Sequence, residues 1–164
     1  MTRIVVADTG PLIALARVEQ LDLLRRLYQE VCVPTAVHSE LAMDSDRPGA
    51  IVLARAFEAG WITVRVAADA NAVGELAKLL DPGEAEAIVL AEEQHARFLL
   101  IDDARGRRIA RRRRIPVVGV AGVLLAVKSH GELAAVGPIL EDLSRIGYRL
   151  SQRLIAAVLE RAGE

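Results

Sequence analysis

The sequence predicts an α/β domain, a short parallel sheet sandwiched between two layers of helices. Three observations predict it. Apolar runs of strand length alternate along the chain with amphipathic segments of helical length, the order of successive βαβ units. One run, residues 98–101, contains no polar residue, as a strand covered on both faces requires. The composition is 52% hydrophobic but only 3% aromatic, so the core must be Ala, Val, Leu and Ile. That suits helices laid on a β-branched sheet and disfavours an aromatic-lined ligand pocket.

In chain order, residues 3–7 form the first strand, and Thr9-Gly10-Pro11 opens a helix to about Arg17. Pro11 fits the first helical position, which leaves Gly10 or Thr9 at the cap. A helix over roughly 20–29 carries Leu21, Leu24 and Leu27 on one face. Residues 31–33 are a strand closed by Pro34, 35–42 are helical, and Asp46-Arg47-Pro48 begins a helix ending at Gly60. A strand at 62–66 precedes helices at about 69–80 and 83–95. After the 98–101 strand, Asp102-Asp103 starts an arginine-rich helix to about Arg114. Residues 116–118 complete the sheet and 120–128 are helical. Helices near 133–146 and 151–162 follow, the second with Leu154, Ile155, Val158 and Leu159 on one stripe. That stripe suits the core or a subunit interface equally. No repeat, low-complexity segment or linker intervenes, so residues 1–164 are expected to form a single domain.

Several function classes are excluded. The one cysteine, Cys32, leaves no disulfide framework and no cysteine-based zinc site, and between two valines it reads as a small buried hydrophobe. His38, His95 and His130 are scattered and show no helical metal spacing. There is no glycine-rich phosphate loop and no Gly-x-Ser-x-Gly elbow, against a nucleotide-driven enzyme and a serine hydrolase. With 21 basic and 22 acidic residues the net charge is −1, so binding to nucleic acid must come from a local patch. The longest apolar stretch, 117–127, is short of the roughly 20 residues of a membrane span. The start of the chain lacks the pattern of a secretory signal. A soluble, cytoplasmic protein is expected.

The informative residues are acidic. In parallel α/β sheets ligands gather beyond the carboxyl ends of the strands, where the strand order switches. Asp8 directly follows the first strand, too early to be a good cap for a helix starting at Pro11. Asp102 and Asp103 follow the 98–101 strand. Capping the arginine-rich helix explains one of them, and the repulsion between neighbours asks for a cation or basic partner at the other. In Asp81-Pro82-Gly83-Glu84, Asp81 is placed to cap and Glu84 to complete a capping box, so Glu84 reads as structural. Glu86 escapes that explanation, and Glu40 flanks the stripe of Val37 and Leu41. Arg105, Arg107, Arg108, Arg111, Arg112, Arg113 and Arg114 form either a solvated helix face or a phosphate-binding patch. Carboxylates converging at a sheet edge need a counter-charge, and an all-oxygen donor set selects Mg²⁺ or Mn²⁺. Flanking arginines suit such a centre to phosphodiester chemistry.

Val5-Val6-Ala7-Asp8-Thr9-Gly10-Pro11-Leu12-Ile13-Ala14-Leu15 resembles the opening motif of the PIN-domain nucleases. Val37-His38-Ser39-Glu40-Leu41 resembles their second acidic motif, Glu86-Ala87-Ile88-Val89-Leu90-Ala91 the third and Leu99-Leu100-Ile101-Asp102-Asp103 the fourth. The likeness covers nearly the whole chain, in order and spacing. The 80–88 segment, with 116–119 and the closing 162–164, is most similar to a prokaryotic PIN-like branch. The resemblance implies a PIN-like three-layer sandwich and a metal-dependent ribonuclease, often the toxin of a type II toxin–antitoxin pair of VapC type. It implies a homodimer acting on RNA and silenced by a small antitoxin. Asp8, Glu40, Glu86 and Asp103 would be its catalytic and metal-site acids, Asp102 the rival of Asp103, and Thr9 a supporting hydroxyl. Arg105, Arg107, Arg108 and Arg111 would contact nucleic acid. Glu86 stands where the third motif usually has Asp. That departure motivates the second reading, a PIN-like interaction or nucleic-acid-binding module without catalysis.

Overall fold

Five short apolar runs assemble into one parallel sheet in the computed structural model, which describes residues 3–164. Residues 1 and 2 of the expected domain lie outside the described residues. In chain order the elements are β1 (Ile4–Ala7), α1 (Thr9–Arg17), α2 (Asp22–Leu27), β2 (Glu30–Val33), α3 (Thr35–Glu40), α4 (Ala50–Glu58) and β3 (Ile62–Val64). There follow α5 (Ala70–Leu76), α6 (Pro82–Glu93), β4 (Phe98–Leu100), α7 (Ala104–Arg112), β5 (Val117–Val118), α8 (Val120–Ser129), α9 (Gly137–Arg145) and α10 (Gln152–Ala162).

The strand order is β3-β2-β1-β4-β5, with every pair parallel. The chain winds outward from β1 to β2 and β3, then returns to the other side of β1 for β4 and β5. The order therefore switches between β1 and β4, which opens a crevice above their carboxyl ends.

Alternation along the strands fills two separate cores. Val5, Ala7, Val31, Val33, Phe98 and Leu100 face one layer, where Leu12 and Leu15 of α1, Leu53 of α4 and Leu124 of α8 are buried. Val6, Cys32, Leu99 and Ile101 face the other, against Ala85, Ile88 and Leu90 of α6 and Ala110 of α7. Cys32 is fully buried, and burial pushes its thiol up to about 11, the behaviour of a hydrophobe and not a nucleophile.

Several element bounds differ from expectation: the helix expected from Asp46 begins at Ala50, the 62–66 strand ends at Val64 and the 133–146 helix begins at Gly137. Helix α1 begins at Thr9, not Pro11, so Asp8 occupies the N-cap position after all, although its side chain makes no capping bond. The helix expected over 69–80 ends at Leu76. On α10, Val158 is buried while Ile155 and Leu159 pack on the core beside it, which assigns most of that stripe to the core. No helix among the described residues is long and apolar enough to cross a membrane.

Leu99 has no exposed surface, whereas Ile51 is 67% exposed. Leu99→Ala should cost about 3 kcal/mol through lost burial and the cavity left behind. Ile51→Ala should change stability by less than about 0.5 kcal/mol. Urea denaturation of the two variants reads the difference, and equal midpoints would contradict the placement of these residues.

Candidate active site

The crevice between β1 and β4 is closed at its base by the Asp8 N–H, which donates to the Leu100 carbonyl at 2.9 Å. Asp8 continues β1 in an extended conformation, and only 7% of the residue is exposed. No helix end consumes its carboxyl group. Burial, reinforced by the charges of Asp81, Glu40 and Asp103, pushes that carboxyl up to about 7, while a hydrogen bond from the Thr9 backbone pulls the other way.

Glu40 is delivered by the last residue of α3. The Thr9 hydroxyl donates to Glu40 Oε2 at 2.7 Å, which fixes the carboxylate beside Asp8. The same carboxylate lies against Gly83 in the first turn of α6. A Cβ at Gly83 would stand 2.6 Å from Glu40 Oε1, so a larger residue there would displace the carboxylate from this position. Asp81 caps α6 by accepting the Glu84 N–H at 2.8 Å. Glu84 itself turns into the cavity. Burial raises its carboxyl to about 8, helped by the charges of Asp81, Asp103 and Asp8 and by a hydrogen bond with Asp81. Together with Asp102 and Asp103 these groups wall an open cavity of about 660 Å³, with Tyr148 and Arg149 on its rim.

The structure brings Glu84, and not Glu86, to this cavity. Glu86 Oε1 accepts the Ala36 N–H at 3.2 Å and so anchors the first turn of α3. Two residues along a helix turn the side chain by about 200°, which sends Glu84 and Glu86 to opposite sides of α6. The capping-box pattern concealed Glu84. Asp81 performs its half of the box, but among the described residues the Asp81 N–H does not return a bond to Glu84.

Both members of the aspartate pair line the cavity, and each also holds a helix start. Asp103 Oδ2 accepts the Gly106 N–H at 2.8 Å and caps α7 from the cavity wall. Asp102 Oδ2 accepts the Val120 N–H at 3.1 Å, at the start of α8, and also accepts the Tyr148 hydroxyl. Burial and the neighbouring Asp102 charge drive the Tyr148 phenol far above its ordinary range, so it remains a donor. Sequence reasoning missed Tyr148. It arrives from the α9–α10 connection, where Gly147 takes a left-handed φ of 82° and the Tyr148 N–H returns to the Leu143 carbonyl at 3.0 Å. This is a glycine-terminated helix end, and the Gly147-Tyr148 pair after α9 is its signature.

The four arginines expected on nucleic acid divide evenly. Arg105 donates to the Leu79 carbonyl at 3.1 Å and Arg107 to the Ile101 carbonyl at 2.7 Å, so both tie α7 to the fold. Burial and the nearby Arg111 charge lower the pKa of Arg107, with Asp102 opposing. Arg108 and Arg111 are exposed.

Among the described residues, no three carboxylate, thiolate or imidazole groups stand close enough to clasp a metal ion as they lie. The donor set nevertheless suits a hard divalent cation. It is all oxygen, and the raised carboxyls of Asp8 and Glu84 mark crowded negative charge that such an ion would offset. A family model described as a PIN domain matches residues 4–164. The chain belongs to the PIN-domain family. No curated protein and no solved structure matches it significantly. PIN domains are generally metal-dependent nucleases, typically using divalent metals. The five-stranded parallel sheet between helix layers is consistent with the PIN-like fold that the motifs implied.

In this PIN domain Asp8 holds its proton more tightly folded, at about 7, than at its ordinary value of 3.8. Beside the fall toward pH 8 that Glu84 adds, Asp8's own contribution to folding stability therefore falls as pH climbs from about 4 to 7 and is level above. Asp8→Asn removes that loss. Its melting-temperature advantage over wild type should grow across the same window and persist above it, as read by thermal melts in metal-free buffers. Parallel pH profiles for the two proteins would refute the burial of an ionisable Asp8.

Proposed function

We propose that this PIN domain is an endoribonuclease that hydrolyses RNA phosphodiester bonds with Mg²⁺ or Mn²⁺ held by Asp8, Glu40, Glu84 and Asp103. The observation that carries the reading is the convergence of these carboxyls on one cavity at the switch point, two of them raised toward neutrality. A divalent cation bound there supplies Lewis acidity, making water a better nucleophile at neutral pH and offsetting charge on the phosphate. The chain's own groups do the rest. Thr9 holds the Glu40 carboxylate in position through its hydroxyl. Glu84, whose carboxyl is raised by burial and by Asp81, Asp103 and Asp8, would gain from a bound cation the counter-charge that holds it ionised as a ligand. Tyr148 and the α8 N-terminus keep Asp102 on the wall, which leaves Asp103 as the member of the pair nearer the role of ligand.

On the strength of the family resemblance the proposal extends to a toxin acting in the cytoplasm, a small antitoxin that covers the cavity, and a homodimeric assembly. The second reading, a module without catalysis, took its motive from Glu86. The bond from the Ala36 N–H to Glu86 supports a positioning role for that residue and weighs against the motive.

Calorimetric titration of Mn²⁺ tests the assignment without knowledge of the RNA. Wild type should bind saturably, and Asp8→Asn and Glu84→Gln should each weaken binding by about tenfold or more. Glu86→Gln should keep Mn²⁺ affinity within about threefold while losing about 1 kcal/mol of stability at its bond to α3. EDTA-sensitive RNA cleavage should fall at least about 100-fold in Asp8→Asn. A folded wild type with no saturable Mn²⁺ binding, or an Asp8→Asn variant of full activity, would sink the proposal.

A further inference from the structure

A second cavity, of about 690 Å³, abuts the acidic one and shares two wall residues with it, Thr9 and Glu40. Its remaining wall is Ile13 and Arg17 of α1 with Arg47 and Pro48 from the α3–α4 connection. The charge changes sign from one cavity to the next. The acidic cavity carries six carboxyls against Arg149, whereas its neighbour sets two guanidinium groups against Glu40 alone.

Both guanidinium groups are oriented without being neutralised. Arg47 Nη1 donates to the Glu40 carbonyl at 3.0 Å, and Arg17 Nη1 donates to the Ile146 carbonyl at 3.5 Å. A bond to a carbonyl leaves the cationic charge and most of the five guanidinium N–H donors available. The arginine ion pairs among the described residues engage Arg26, Arg65, Arg113 and Arg145, and neither of these two. Ile13 and Pro48 between them offer an apolar surface.

We propose that this second cavity is the track by which single-stranded nucleic acid crosses the acidic site. Arg17 and Arg47 bind the phosphates next to the one placed over the acids, and Arg149 stands on the wall of the acidic cavity itself. The inference rests on the nuclease reading and moves the nucleic-acid contact away from α7. On α7, Arg113 pairs with Glu92, and from Ala104 at the cavity wall the helix carries its exposed arginines away from the cavity. A single strand fits because successive concave walls favour a flexible backbone with its bases splayed, and the arginine–apolar alternation matches phosphate and sugar–base faces.

The test is fluorescence anisotropy in EDTA, where cleavage is silent, with a labelled single-stranded RNA of about ten nucleotides and DNA of the same sequence. Arg17→Ala/Arg47→Ala should weaken binding by about tenfold or more and reduce the log–log salt slope by about 1.4, as two lost phosphate contacts on a single strand require. Arg108→Ala/Arg111→Ala, which removes the rival track, should change affinity by less than about twofold. If the alanine pair fails to fold by circular dichroism, Arg17→Gln/Arg47→Gln keeps a donor for each carbonyl while removing the charge, and should show the same loss. Equal loss with RNA and DNA supports a track that reads phosphate alone, and a larger loss with RNA supports one that also reads the ribose. The reverse ranking of the two arginine pairs overturns the track, as does a wild type that binds neither oligonucleotide at low salt. Mn²⁺-dependent cleavage at an unchanged KM in the Arg17/Arg47 variants overturns the track and leaves the nuclease standing. Binding lost only in those variants, beside a wild type that never cleaves, keeps the track and removes the nuclease.

Discussion

The bond from the Asp8 N–H to the Leu100 carbonyl joins the exits of two strands that are neighbours in space and more than ninety positions apart in sequence. It places a carboxyl group at the one point of the sheet where consecutive strands depart in opposite directions. Every other acidic side chain of the cavity is arranged around that fixed group. Burial makes the Asp8 carboxyl hard to ionise, and the charges of Asp81, Glu40 and Asp103 add to that cost.

Such crowding is tolerated because helix ends meet at the cavity. Asp8 sits at the N-cap of α1, Asp81 caps α6, Asp103 caps α7 and Asp102 receives the first N–H of α8. Unpaired backbone N–H groups and the positive ends of the helix dipoles therefore point toward the acids and supply part of their counter-charge. The helices depend on the carboxylates for their caps, and the carboxylates depend on the helices for their proximity. Stability and chemistry draw on the same residues here, so a side chain with a clear capping bond is not thereby removed from the site.

That overlap explains what could be read in the sequence and what could not. The alternation of strands and helices was legible because apolar runs and capping residues act locally, and the element order follows from them. Asp8 and Glu40 were legible because each lies one step from a strand end or a core stripe. Glu84 was not, since a capping box accounted for it, and the unmade half of that box is visible only in three dimensions. Glu86 read as available because it has no local partner, and the partner it has, Ala36, lies fifty residues earlier. Tyr148 required the path of the α9–α10 connection, which no periodicity fixes. The arginine run was visible as charge, but whether an arginine faces solvent or a carbonyl depends on tertiary neighbours such as Leu79 and Ile101.

Gly83 carries a mechanical consequence. The Glu40 carboxylate occupies the space that a side chain on Gly83 would fill, and Glu86 bolts the opposite end of α3 to α6. Helix α3 is thereby bonded to α6 at its first turn and packed closely against it at its last, where the absence of a side chain on Gly83 makes room for the Glu40 carboxylate. A residue larger than glycine at position 83 would therefore push the Glu40 carboxylate off its place on the wall, as a shim displaces the jaw of a vice.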